Sequence, residues 1–208
     1  MIRSVNDDQH QIIRDIMSLE DIERFDLDPT YSKGQFYKGI PEPVTRMDIE
    51  PRYPVVQKAD VRNLPLPSES QESIMFDPPF IAGGAGASTM AQRFSSFKTV
   101  KHMWRFLEES MTELTRVLAP QGTLVVKCQD LINGRTQYLT HYELITYALE
   151  RGLYPKDMYV LTAKSRPIRE NIKKQSHARK YHCYFLVFKK ARRNVGYRSE
   201  LLQTRLKR

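Results

Sequence analysis

Apolar positions along this chain follow two rhythms, one helical and one strand-like. Ile12, Ile13, Ile16 and Leu19 recur at helical spacing behind Asn6 or Asp7 as candidate cap, predicting a helix over about residues 7–19. Short apolar pieces follow, each closed by an acid. Phe25 and Leu27 run into Asp28, a stretch after Pro41 and Pro43 into Met47 and Asp48, Val55 and Val56 toward Asp60, and Ile74, Met75 and Phe76 into Asp77. The period then lengthens again. Val100, Met103, Trp104, Leu107, Met111, Leu114 and Leu118 form one stripe over about five turns, which Pro120 and Gly122 stop. Residues 123–126 read as a buried strand, and Thr140 with Glu143 has the form of a capping box opening a helix that Gly152 closes. Strands around Tyr159 and over 183–188 complete the pattern.

Strands alternating with helices predict a three-layer α/β fold around a largely parallel sheet. The last two strands have no helical pattern between them, so they are expected to pair antiparallel. With 208 residues, 40% hydrophobic and 27% charged, the chain suits a single domain over about residues 1–190 with a basic tail over 191–208. No internal repeat or low-complexity linker interrupts it. The net charge of +9, from 33 basic against 24 acidic residues, makes nucleic acid the first partner to consider, with solubility as the ordinary alternative. Cys128 and Cys183 lie far apart in apolar runs, with neither zinc nor disulfide spacing, which suits a reducing cytosol. The polar N-terminus does not have the form of a signal peptide, and no stretch has the length of a membrane span. A soluble, cytoplasmic protein without a membrane partner is expected.

The acids at strand ends carry the candidate chemistry. Ligands of open α/β sheets bind outside the carboxyl ends of the strands, where carboxylates accept hydrogen bonds from ribose hydroxyls or an exocyclic amine. Asp28 precedes a glycine-containing loop, and Asp48 lies 20 residues on, a spacing suited to a ribose-binding acid. Any one such aspartate could simply face solvent; the ordered set ending in Asp77-Pro78-Pro79-Phe80 argues for more. A base amine is a poor nucleophile because its lone pair is delocalised into the ring. An oxygen acceptor and a backbone carbonyl that take its N–H groups favour a more pyramidal nitrogen. Paired prolines stiffen the turn that aims the carbonyl, and an aromatic residue offers a face for the base. Asp77 would be the acceptor, the Pro78 carbonyl its partner, Pro79 the second stiffening residue and Phe80 the platform.

These residues resemble the amino-group family of DNA methyltransferases, which modify adenine N6 or cytosine N4. Leu27-Asp28-Pro29-Thr30-Tyr31-Ser32-Lys33-Gly34 looks like that family's cofactor loop, and Ala59-Asp60-Val61-Arg62-Asn63-Leu64-Pro65 is similar to its segment leading to the methyl donor's adenine. Residues 73–80 look like its catalytic strand, and Leu124-Val125-Val126-Lys127 and residues 182–189 its later strands. The likeness spans roughly residues 25–189. It implies a Rossmann-like seven-stranded methyltransferase fold with an antiparallel last strand, S-adenosylmethionine as cofactor and no metal. By resemblance Asp28, Pro29, Thr30 and Gly34 shape the cofactor loop, Asp48 holds the ribose with Glu50 as competitor, Asp60 meets the adenine amine, Val61 packs on its ring, and Asp77 borders both sites. The chain departs from the family at Ser32, where a glycine is common, and in the short segment between Gly34 and Pro43. It leaves no stretch for a separate target-recognition domain, which implies low sequence specificity or a partner subunit.

The glycine-rich residues 81–88 lack the lysine of a phosphate loop and read as a lid over the site or as a plain connection. Cys128 reads as a packed core cysteine, and His141, His177 and His182 have no metal spacing. Lys164, Arg166, Arg169, Lys173, Lys174, Arg179 and Lys180 are candidates for phosphate contacts, with a solvated loop as the alternative. The expected activity is methylation of a flipped or single-stranded base amine, with adenine N6 in DNA favoured because, in the resembling family, Asp first in the motif suits adenine better than the Ser often found in cytosine-N4 enzymes. RNA adenine methylation, methylation of a protein glutamine amide, and a silent methyltransferase-like nucleic-acid-binding subunit are the alternatives.

Overall fold

Alternating side chains on the central strands divide the core into two layers, one on each face of the sheet. The computed structural model describes residues 1–82, 97–164 and 175–191. Its elements are β1 (Val5–Asn6), α1 (Gln9–Leu19), β2 (Leu27–Asp28), a single 3-10 turn (Gln35–Tyr37), β3 (Thr45–Asp48), β4 (Gln57–Lys58) and β5 (Gln71–Phe76). After the segment 83–96 come α2 (Val100–Val117), β6 (Leu118–Cys128), β7 (Leu131–Asn133), β8 (Thr136–Tyr138), α3 (Thr140–Glu150), β9 (Leu153–Thr162) and β10 (His182–Lys190).

Eight strands form one sheet in the order β1-β9-β10-β6-β5-β2-β3-β4, while β7 and β8 pair as a hairpin. Among the described residues, only β10 runs against its neighbours, β6 and β9; the other pairs of the large sheet are parallel. The expected antiparallel final pair is therefore present, with β10 inserted between β9 and β6. Ile74 and Phe76 of β5, Leu124 and Val126 of β6, and Leu186 and Phe188 of β10 pack with Met103, Leu107, Met111 and Leu114 of α2. Met75, Val125, Phe185 and Val187 take the opposite face with Ile12, Ile13 and Ile16 of α1 and with Phe36 and Tyr37 of the 3-10 turn. Burying such side chains supplies about 1.5–3 kcal/mol each, which is why period-two patterning decides which way each strand faces.

The local details depart from the sequence reading in four places. Asp8, rather than Asn6 or Asp7, caps α1 by accepting the His10 N–H at 2.8 Å, while Asn6 accepts the Asp8 N–H at 3.0 Å. Leu19 is exposed and Met17 is buried, because the helix turns that face toward the sheet. No capping box forms at α3: the Thr140 hydroxyl is buried without a partner among the described residues, and Asp130 accepts the His141 N–H at 3.3 Å instead. The strand expected at Val55 and Val56 falls on Gln57–Lys58, leaving Val55 exposed and only Val56 in the core. The short segment between Gly34 and Pro43, where the chain departs from the resembling family, carries only the 3-10 turn. Among the described residues, no helix is long and apolar enough to cross a membrane.

Candidate active site

The sheet changes direction of growth at β2 and β5. From β2 the chain builds outward to β3 and β4, and from β5 it builds the other way to β6. Such a switch point opens a crevice at the carboxyl ends of the strands. The strand order turns the sequence series Asp28, Asp48, Asp60, Asp77 into the spatial series Asp60, Asp48, Asp28, Asp77. Asp28 ends β2 and Asp77 directly follows β5, so these two meet at the switch itself.

Asp28 is almost wholly buried, at 2% exposure. One of its oxygens accepts the Thr30 N–H at 2.8 Å and the Thr30 hydroxyl at 3.3 Å; the other accepts the Tyr37 hydroxyl at 2.7 Å. Burial pushes its carboxyl up to about 7 against the pull of these donors, and the charge of Asp77 adds to the rise. The same burial, with the Asp28 charge, pushes the Tyr37 phenol well above its ordinary range. The Thr30 hydroxyl also accepts the Asp77 N–H at 3.0 Å. A single hydroxyl thus joins the end of β2 to the residue that follows β5.

Asp77 is satisfied differently. Its Oδ1 is buried and has no hydrogen-bond partner among the described residues, whereas Oδ2 lies 3.9 Å from the Lys127 ammonium. Burial raises its carboxyl above the ordinary aspartate range, and Lys127 draws it back down. Pro78 is buried, and Pro79 and Phe80 are half-buried. Beyond them the chain is fastened twice: Ile81 accepts the Phe97 N–H at 2.9 Å, and the Ala82 carbonyl accepts the Asn133 amide at 2.9 Å. The glycine-rich lid candidate starts at these anchors, but residues 83–88 lie outside the described residues.

The loop after β2 is tightly constrained. Ser32 and Gly34 both adopt left-handed backbone, with φ of 51° and 66°. Ser32 therefore occupies a conformation that suits the glycine of the resembling family. A side chain at Gly34 would come within 2.6 Å of the Tyr31 ring. Asp48, half-exposed, fastens this loop by accepting the Ser32 N–H at 2.8 Å, and accepts the Glu50 N–H at 2.8 Å with its other oxygen. Glu50 is exposed. Asp60 is bracketed by Arg62, whose guanidinium lies 2.6 Å from Oδ2 and also pairs with Glu109 of α2 at 3.3 Å; this pairing holds the Asp60 carboxyl below its usual range. Val61 is buried in the α2-side core. Pro29 is buried beside Asp28.

The structure brings Asp28, Thr30 and Asp77 together, with Asp48 one strand further along and Asp60 engaged with Arg62. The basic cluster is only partly described. Lys164 pairs with Asp7 at 2.9 Å, and Arg179 and Lys180 are half-buried. Arg166, Arg169, Lys173 and Lys174 lie outside the described residues, as does the tail from residue 192. Cys128 is fully buried, and burial pushes its thiol well up, as for a packed core cysteine. Among the described residues, no three His, Cys, Asp or Glu side chains group to hold a metal. The sequence reading missed Tyr37 and Lys127. For Lys127 a signal was available: a charge in the apolar run of a central strand is a buried polar anomaly.

A profile of a DNA methylase family matches residues 72–207. No curated protein matches the sequence. Among solved structures, a Galdieria sulphuraria protein provisionally described as a sarcosine dimethylglycine methyltransferase aligns at TM-score 0.55 and 10% identity, over 88% of this chain and 85% of its own. A SAM-dependent methyltransferase from Methanosarcina mazei aligns at TM-score 0.50 and 13% identity, over 85% and 97%. These two establish the Rossmann-like methyltransferase fold. A Thermus thermophilus protein provisionally described as a DNA modification methylase, solved with S-adenosyl-L-methionine, aligns at TM-score 0.44 and 17% identity, over 68% of this chain. This chain covers 59% of that relative, less than two thirds of its length.

Proposed function

The chain belongs to the N6/N4 DNA methylase family, and from that membership we propose that it methylates the exocyclic amine of a nucleic-acid base, N6 of adenine in DNA, with S-adenosylmethionine as donor. The observation that carries this reading is the buried Asp77 Oδ1, left without a partner among the described residues at the switch point and followed by two prolines. An unpaired buried acceptor is costly in a resting fold, so it marks a place where a donor arrives.

The residues suit the donor as well. The loop fastened by Asp48 keeps a glycine where a side chain would strike Tyr31, and the half-exposed Asp48 carboxylate has lone pairs left for ribose hydroxyls. In this reading Asp28, Pro29, Thr30 and Gly34 shape the methionine end of the site, Asp48 holds the ribose, and Asp60 and Val61 border the adenine. S-adenosylmethionine supplies a methyl group already activated by its sulfonium charge. The chain then has to place the amine and remove its proton. Asp77 accepts one N–H of the base amine and the Pro78 carbonyl the other, while Phe80 stacks on the ring. As the new N–C bond forms, the donor's S–CH3 bond breaks to leave a neutral thioether, and the nitrogen sheds one proton, which Asp77 is placed to take because it already accepts that N–H. Rate enhancement then rests on placement and on preset acceptors.

The test incubates the protein with radiolabelled S-adenosylmethionine and DNA, RNA or protein, followed by digestion and identification of the modified unit. Label in DNA as N6-methyladenine, lost in Asp77→Ala, is the expected result. Label as N4-methylcytosine, or in RNA alone, would reassign the substrate. Absence of label from every polymer would overturn the reading.

A further inference from the structure

We infer that Lys127 is a positioning residue of the methyl-transfer site, its ammonium holding the Asp77 carboxylate charged and aimed so that one oxygen stays open to the base amine. The inference rests on the reading of Asp77 as the amine acceptor and adds a residue and a device that reading does not require.

Register places the two side chains together. Phe76 of β5 pairs with Val126 of β6, so Asp77 and Lys127 are the next positions along adjacent parallel strands. Phe76 and Val126 both face the α2 layer, and alternation turns their successors to the α1 face. The contacts agree: Lys127 Nζ lies 4.6 Å from the centre of the Phe36 ring and 5.7 Å from that of Phe185, both members of the α1-side core.

Burial gives the placement its meaning. The Lys127 side chain is only 13% exposed, in a central strand where a leucine or methionine would pack without electrostatic penalty. Its surroundings are two aromatic faces, the Gln9 amide oxygen at 3.4 Å and Asp77 Oδ2 at 3.9 Å. At that separation the ammonium is beyond a normal hydrogen bond yet close enough for strong attraction. It engages one oxygen of Asp77 and leaves Oδ1 untouched. Phe36, Phe185 and Gln9 keep the ammonium from swinging away.

Other groups near Asp77 oppose its charge or are neutral. Asp28 on β2 and the Cys128 thiol on β6 are coupled to it unfavourably, and so is the Tyr37 phenol when ionised. The groups met by Lys127 on α1 and β10, Gln9 and Phe185, are uncharged. Lys127 is thus the only cation paired with Asp77 among the described residues. Without it, burial would draw the Asp77 carboxyl further toward its protonated form. The acid proton would then occupy an oxygen meant for the amine.

The experiment uses the full chain with Lys127→Met, Lys127→Gln and Lys127→Arg. Carbon-13 carboxyl titration by NMR, with the Asp77 signal assigned from Asp77→Asn, reads the ionisation directly. Loss of the ammonium should raise the Asp77 midpoint by about one unit or more, and Lys127→Arg should restore it. In single-turnover methylation, the neutral variants should lose rate at neutral pH, by up to about tenfold for each unit the midpoint rises, and recover as pH rises, with donor affinity unchanged. An unmoved Asp77 midpoint in both neutral variants, or an equal rate loss at every pH, overturns the inference and leaves Lys127 a packing residue. If the wild type methylates nothing, the reading of the site fails, and the titration still reports separately whether Lys127 controls Asp77.

Discussion

Replacing Asp28 with asparagine should change how stability depends on pH more than it changes stability at any one pH. In the fold the carboxyl is pushed from its ordinary 3.8 up to about 7, chiefly by burial. A raised folded-state value means that the native protein holds the proton more tightly than the unfolded chain. Asp28 therefore stabilises the fold fully below pH 3.8, and that contribution is lost as pH rises through about 7. The rise is about three units, or roughly 4 kcal/mol at about 1.36 kcal/mol per unit. Exposure of 2% leaves little solvent screening to discount it. Asparagine keeps the shape and never ionises, so it lacks this slope. The assay is thermal unfolding of both proteins between pH 4 and pH 8. Whatever the variant loses at pH 4, its midpoint should gain on the wild type by roughly 8–16 °C on the way to pH 8. Titration of all other groups largely cancels in the difference. A gap that stays constant across the window would refute the burial argument and leave Asp28 an ordinary surface-like acid.

Three further outcomes test the loop and its acids. Thr30→Val removes the acceptor of the Asp77 N–H and should cost about 1–3 kcal/mol in unfolding experiments, while Thr30→Ser should be close to wild type. Gly34→Ala combines a φ of 66° with overlap against the Tyr31 ring, so calorimetry should show destabilisation of at least about 2 kcal/mol and weakened donor binding. Asp48→Ala frees the Ser32 and Glu50 N–H groups and removes the proposed ribose acceptor, so it should weaken S-adenosylmethionine binding in titration calorimetry much more than Glu50→Ala. The reverse order would transfer the ribose role to Glu50.

The parts legible in the sequence were those with long periods or a fixed chemical identity. The eighteen residues of α2 repeat their apolar stripe often enough to be read directly, and the apolar runs of β5, β6 and β10 can only be buried strands. Elements of two or three residues, such as β1, β4 and the β7–β8 hairpin, are too short to have a period, and neighbouring strands decide them. At α1 three adjacent polar residues, Asn6, Asp7 and Asp8, offer a cap and the exact helix start decides among them; at α3 tertiary position decides. Asp130, ten residues before α3, supplies the acceptor that local reading gave to Thr140. The acids of the site were visible as strand endings, but their differences were not. Asp28 and Asp77 look alike along the chain, and only strand order shows that they face one another.

That confrontation explains why their surroundings differ. Two carboxylates at one switch point each disfavour charge on the other, so the fold can keep both only if they are treated unequally. Asp28 takes donors on both oxygens, from Thr30 and Tyr37, and is consumed in holding the loop. Among the described residues, Asp77 receives one distant ammonium and keeps a bare oxygen. On the proposed reading, the saturated acid is the support and the unsaturated one is the site. A fold that had given Asp77 the same donors would gain stability and lose the acceptor that the proposed reaction needs.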